Sequence, residues 1–169
     1  SLTGHLVFAT LHTNSAPESV IRLLDMGMDP FNFADAILCI LAQRLVRTLC
    51  PDCKKQYKPT HAEYDELVRE YGSEEFRQFV NIPYNDNLVL YKPDGCDACN
   101  NTGYRGRMGL HELLMGTDEM KKLIQTKAKM EDLRDQAVKD GMTTLKQDGI
   151  RKTINGITTI REVRRVCIE

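Results

Sequence analysis

The chain has 169 residues, 41% of them hydrophobic and 28% charged, enough for one ordinary domain or two or three small ones. That balance excludes wholesale disorder, and the longest apolar runs, such as Leu6 to Ala9 and Ile37 to Leu41, fall far short of a transmembrane span. A net charge of −1 gives the whole chain no electrostatic grip on nucleic acid.

The chain opens without Met, and Ser1 to Gly4 runs straight into an apolar stretch, so it reads as a piece of a longer polypeptide. Leu6 to Leu11 is short, nearly all apolar and partly β-branched, the pattern of a strand buried on both faces of a parallel sheet. Glu18 to Met26 reads as a helix with Val20, Leu23 and Leu24 on one stripe and Gly27 just past its end. A second helix starts at Asp29 as N-cap and Pro30 as N1. Phe33, Ala34, Ile37, Leu38, Leu41 and Leu45 then follow at helical spacing to about Leu49.

Composition then shifts. Residues 44–58 carry a net charge of about +4 and residues 61–79 about −4, the latter expected as a solvated helix from Ala62 to Tyr71. A strand is expected at Leu88 to Tyr91. Residues 101–107 read as turns returning the chain to an apolar segment, Met108 to Leu114, with Arg105 and Arg107 as exposed turn arginines. Helices follow: one capped by Thr117, one from Met130 to Asp140 closed by Gly141, one from Thr144 to Thr153, and a last one with Thr159 and Glu162 as a capping box. A further net charge of about +4 over residues 151–165 reads as a solvated face or a protein contact.

Cys50-Pro51-Asp52-Cys53 and Cys96-Asp97-Ala98-Cys99 are two C-x-x-C pairs with 42 residues between them. Each suits a tight turn presenting two thiolates to one ion, and two such knuckles complete a tetrahedral all-sulfur site. Zinc fits, as a closed four-thiolate shell is a usual structural form for it. A mononuclear iron site has the same ligands. Disulfides are a third reading, although nothing in the sequence reads as a secretory signal. Four thiolates leave no position for water, so the site is expected to be structural. Cys39, on the apolar face of the second helix, and Cys167 are expected to be ordinary packing or surface thiols.

His5 and His12 bracket the apolar strand. Ligands in open α/β sheets sit beyond the carboxyl ends of strands, where His12 lies, followed by Thr13, Asn14 and Ser15. His5, seven residues earlier, would stand about 20 Å or more away along an extended chain, so the two cannot touch one phosphate. Taken alone, each reads first as a satisfied structural histidine and only second as a phosphate contact.

Residues Thr3 to Asn14 resemble the histidine box of the secretion ATPases, which drive type II protein secretion and type IV pilus assembly. Ala42-Gln43-Arg44-Leu45-Val46-Arg47, both cysteine pairs and Gly103 to Glu112 match the same family in the same order. The resemblance covers nearly the whole chain, most weakly at residues 60–92. It implies a RecA-like P-loop ATPase working with ATP and Mg²⁺ as a homo-hexamer at the cytoplasmic face of the inner membrane. Membrane-platform and adaptor proteins of the secretion or pilus machine would be its partners, with no nucleic acid among them.

In that family the Walker A loop, acidic box and Walker B strand precede the histidine box. Here none is present, and no glycine is followed by Lys-[Ser/Thr]. The expectation is therefore an α/β C-terminal portion in three parts. Residues 1–49 end the RecA-like core, 50–110 form a four-cysteine zinc module with an inserted helix, and 111–169 form a helical bundle. The module argues against the pilus-retraction branch of the family, which lacks it. The resemblance gives His12 the role of γ-phosphate sensor and His5 a lesser one at the strand or subunit interface. It brings Gln43 and Arg44 near the nucleotide or the neighbouring subunit. A different class of reading is a free-standing zinc-ribbon binding module for nucleic acid or protein. The basic residues 44–58 favour it, and the absence of Trp leaves it without a stacking platform.

Overall fold

In a computed structural model of the protein, residues 3–167 are described. Helix α1 (Ala16–Asp25) starts where the Ser15 hydroxyl accepts the Glu18 N–H, and it ends with Gly27 at φ 89°. Helix α2 (Pro30–Ala36) opens as expected, with the Asp29 side chain accepting from Asn32 N. It is much shorter than expected. Ile37 is extended, and strand β1 (Cys39–Leu49) replaces the rest of the predicted helix.

Side chains 40, 42, 44, 46 and 48 turn inward while 39, 41, 43, 45 and 47 turn out, a period of two that ends at the buried Leu49. Leu38, Leu41 and Leu45, expected on a buried helical stripe, are 65%, 57% and 50% exposed. The backbone is satisfied by pairing with β4 (Tyr104–Met115), with the short strands β2 (Lys55–Tyr57) and β3 (Leu90–Lys92) forming a second two-stranded sheet. Cys39 accordingly lies exposed on a strand rather than on a helix.

The expected strand at Leu6 to Leu11 does not form. These residues adopt no regular structure, and Leu6, Val7 and Phe8 are 68%, 59% and 89% exposed. A strand needs a neighbour to pair its N–H and C=O groups, and a strand buried on both faces needs layers above and below. Among the described residues none lies beside it. The expected turn before Met108 is also shorter. Asn100, Asn101 and Gly103, all at positive φ, make it, and Arg105 and Arg107 stand within β4.

Helix α3 (His61–Tyr71) is closed at its start by a reciprocal capping box between Thr60 and Glu63. Helix α4 (Ser73–Glu75) runs into a wider π-type turn over Phe76–Val80. The remaining helices are α5 (Asp118–Gln125, capped by Thr117), α6 (Met130–Lys139), α7 (Leu145–Ile154) and α8 (Ile160–Val166). Thr159 caps α8, but the Glu162 carboxylate binds Arg47 instead of closing the predicted box.

Packing sorts the chain into two units, each discontinuous in sequence: residues 1–43 with 111–144, and 44–110 with 145–169. The first packs α1, α2, α5 and α6 around Val20, Phe33, Leu114, Met120 and Leu133. The second packs α3, the π turn, β3 and α7 around Leu67, Tyr71, Phe76, Leu90 and Ile150. In it α7 meets α8 at Gly149, where a Cβ would stand 2.5 Å from a Val163 methyl. No helix among the described residues is long and apolar enough to cross a membrane.

Candidate functional site

The first knuckle grows directly out of β1. Cys50 follows Leu49, its carbonyl accepts from Cys53 N and Lys54 N (3.4 and 3.0 Å), and β2 departs at Lys55. The second precedes β4: Cys96 opens a single 3₁₀ turn, Asp97–Cys99, and the Cys96 carbonyl accepts from Cys99 N and Asn101 N (3.1 and 2.9 Å). Antiparallel pairing of β2 with β3, Lys55 opposite Lys92, brings the knuckles face to face. Cys50 N donating to Gly103 O (3.0 Å) ties their far sides. Gly103 at φ 74° is required there, because a Cβ would fall 2.5 Å from Pro93 Cβ.

Four sulfurs result, all within 4.8 Å of one another. The Cys50–Cys96 and Cys53–Cys99 pairs are 3.8 Å apart and Cys96–Cys99 3.7 Å. A metal bound tetrahedrally at about 2.3 Å from sulfur places its ligands about 3.8 Å apart, so the donor set fits one ion. Two backbone amides aim at one sulfur: Cys96 N and Gly103 N donate to Cys99 Sγ at 3.3 and 3.2 Å.

Burial pushes the Cys99 thiol up, but these amides, together with hydrogen bonds from the Cys96 and Cys53 thiols, outweigh it and bring it down to about 6. Burial, with hydrogen bonds donated to the neighbouring sulfurs, pushes Cys53 up to about 12. Four thiolates in this volume would repel one another, a repulsion that a bound cation offsets. No other group of three or more His, Cys, Asp or Glu among the described residues has metal-ligand spacing.

The C-terminal residues brace the first knuckle. Leu49 N donates to Ile157 O (2.8 Å), Lys54 Nζ to Gly156 O (2.8 Å) and Thr158 Oγ1 to Arg47 O (2.8 Å). Arg47 lies 4.3 Å from the Tyr104 ring centre and binds Glu162 through Nε and Nη2 (3.0 and 2.6 Å). The bond to this guanidinium outweighs burial and holds the Glu162 carboxyl below its usual range.

The other candidate residues have less around them. His5 and His12 lie exposed in the stretch without regular structure, His5 Nδ1 within 3.0 Å of Thr3 Oγ1. Gln43 and Arg44 are neighbours in β1 and therefore face opposite ways, Gln43 exposed and Arg44 partly buried. Two buried carboxylates do not stand out in the sequence as site residues. Glu162 reads there only as a capping residue. Glu112 occupies the inward position between Leu110 and Leu114 in β4, a polar break in an apolar alternation that could have marked it.

A family model described as "Type II/IV secretion system protein" matches residues 1–165. The chain belongs to this family. The type II secretion system ATPase E of Vibrio cholerae is 43% identical over all 169 residues, which span 31% of its length. The type IV pilus assembly ATPase PilB of Thermus thermophilus is 42% identical over all 169, which span 18% of its length. The type II secretion system protein E of Pseudomonas aeruginosa is 40% identical, again with 31% of its length covered. The chain thus spans a third or less of these relatives. Both cysteine knuckles and His12 lie within residues 1–165, which the family model matches.

Proposed function

We propose that this chain is the C-terminal part of a hexameric ATPase that powers type II protein secretion or type IV pilus assembly. It would work at the cytoplasmic face of the inner membrane, against platform and adaptor proteins of the machine. The observation that carries this reading is whole-chain identity of about 40% to ATPases of both machines. The parts keep the sequence order: 1–49 closing a RecA-like core, 50–110 the metal module and 111–169 the helical subdomain.

Cys50, Cys53, Cys96 and Cys99 hold zinc, supported by the tetrahedral sulfur spacing. With four thiolates bound it offers no open position, so its contribution is to folding. His12 distinguishes ATP from ADP by a hydrogen bond to the γ-phosphate, with His5 in a lesser role at the subunit interface. Gln43 and Arg44 stand near the nucleotide or the neighbouring subunit, and Mg²⁺ accompanies ATP. Positioning and charge stabilisation dominate phosphoryl transfer, so a sensing histidine couples the reaction to motion without itself taking a proton.

The test is ATP turnover by the full-length ATPase carrying this chain and by the chain alone. The full-length protein should hydrolyse ATP. The chain alone should not exceed a buffer blank, because none of its glycines is followed by Lys-[Ser/Thr]. Turnover by the isolated chain that survives further purification would overturn this assignment of parts.

A further inference from the structure

Glu112 is 4% exposed, on the inward face of β4, and its Oε1 accepts the main-chain N–H of Ala16 at 2.8 Å across 96 residues of sequence. Ala16 is the first residue of α1, where helical N–H groups have no partner inside the helix. The other donors of that turn are accounted for locally. Pro17 has no N–H, Glu18 N donates to Ser15 Oγ (3.3 Å), and Ser19 N donates to Ser15 O (3.3 Å). Glu112 therefore supplies a tertiary acceptor to the first turn.

The residues before that turn are tied to it in sequence. Asn14 N donates to Glu18 Oε2 (2.8 Å), and Thr13 Oγ1 lies 2.6 Å from Ser19 Oγ. Thr13 Oγ1 also donates to Ser15 O (3.3 Å). His12 is joined directly to Thr13. The path from the buried carboxylate in β4 to the residue next to the histidine is thus one hydrogen bond to Ala16, the Ser15–Ala16 peptide link, and a second hydrogen bond from Thr13 Oγ1 to Ser15 O.

We propose that Glu112 is a positioning residue for His12, holding the first turn of α1 so that the imidazole is presented at one fixed place. The proposal rests on the reading of His12 as the nucleotide-sensing group. A buried carboxylate on a helix N–H is a stiff, charge-assisted tie. A shift of about 1 Å at a positioned group is enough to cost roughly a hundredfold in rate.

Two measurements separate this inference from the reading beneath it. In the present chain, Glu112→Ala should speed amide exchange at Ala16 by at least about tenfold and shift the His12 ring signals in NMR spectra. Glu112→Gln, which keeps an acceptor, should restore both. Unchanged Ala16 exchange and ring signals in Glu112→Ala would overturn the proposal.

In the full-length ATPase, Glu112→Ala should lower kcat by about tenfold or more with KM for ATP within about threefold, and Glu112→Gln should recover most of it. In a His12→Ala background the same change should cost nothing further. An equal loss in both backgrounds would make Glu112 merely structural and overturn the proposal. If Glu112→Ala does not fold, Glu112→Gln carries the test, and a loss in it that persists without His12 overturns the proposal in the same way. If His12→Ala leaves turnover unchanged while Ala16 exchange still responds to Glu112, the sensor role of His12 is what fails.

Discussion

The cysteine centre and the histidine segment are equally prominent in the sequence, yet they stand very differently in the structure. The centre is assembled from two short turns whose amides, carbonyls and strand pairing are satisfied nearby. The histidine segment presents Leu6, Val7, Phe8 and His12 to solvent, with no strand beside it among the described residues. A chelating site needs four donors at one spacing, which two knuckles and a strand pair suffice to fix. The sensing role proposed for His12 would need a phosphate cradle beside it, and no glycine of this sequence is followed by Lys-[Ser/Thr].

The largest effect should come from breaking the self-contained region. Apparent binding energies of structural zinc are about 10–16 kcal/mol, as large as the whole stability of a usual domain. Removing the metal with a chelator, or Cys96→Ser, should unfold at least residues 50–110. Amide exchange reads this directly, and an unaltered protection pattern there would count against a structural metal. The bracing of the knuckle by Ile157, Gly156 and Thr158 means that protection should also fall at the start of α8.

The histidine segment should respond in the opposite manner. In the full-length ATPase, His12→Ala should leave the melting temperature and nucleotide binding nearly intact. Hydrolysis and secretion or pilus output should drop, by about 3 kcal/mol in barrier or roughly a hundredfold in rate. His61, paired at 2.8 Å with Asp65 on an exposed helix face, is the control and should matter little. Equal, small effects of His12→Ala and His61→Ala on turnover would leave His12 no more than a structural residue.

Glu162 sharpens the contrast within the second unit. Glu162→Ala removes three charge-assisted hydrogen bonds, two from Arg47 and one from Arg165, and should lower stability by about 2–3 kcal/mol. Arg47 is 44% exposed, which keeps the cost below that of a fully buried pair. Since the folded carboxyl lies below its ordinary value, this contribution is complete above the ordinary carboxylate range. It is lost as pH falls through the folded value. The stability gap between the natural protein and Glu162→Gln should therefore narrow in acid below about pH 4. A gap that widened there would contradict the pairing. The smallest effect is at the exposed helix start: Thr60→Ala, which opens the α3 capping box, should cost about 1 kcal/mol in urea unfolding.

Local chemistry is legible in the sequence wherever it decides the structure. Asp29 with Pro30, Thr117, Gly27 and Gly141 mark helix ends by side-chain caps and positive φ, and each stands where expected. Residues 37–49 are not legible in this way. Ile37, Leu41 and Leu45 happen to recur at helical spacing, while the inward-facing set is Ile40, Ala42, Arg44, Val46 and Thr48. The strand is decided by its partner β4, whose first residue lies 55 positions after the last of β1, a pairing no local pattern encodes. Leu6 to Leu11 has a strand's composition without a neighbour among the described residues. For the candidate metal site, the cysteine spacing is sufficient. The carboxylates of Glu112 and Glu162 are hidden because their partners, Ala16 and Arg47, lie 96 and 115 residues away.

Above all, the two knuckles should form one closed, metal-dependent clasp. Elemental analysis of the purified chain, run beside its thermal melt with and without chelator, tests this most directly. One zinc per chain is expected, lost together with the cooperative melt of residues 50–110 when the chelator is added. Iron at that stoichiometry, or a fully folded sample containing no metal, would contradict it.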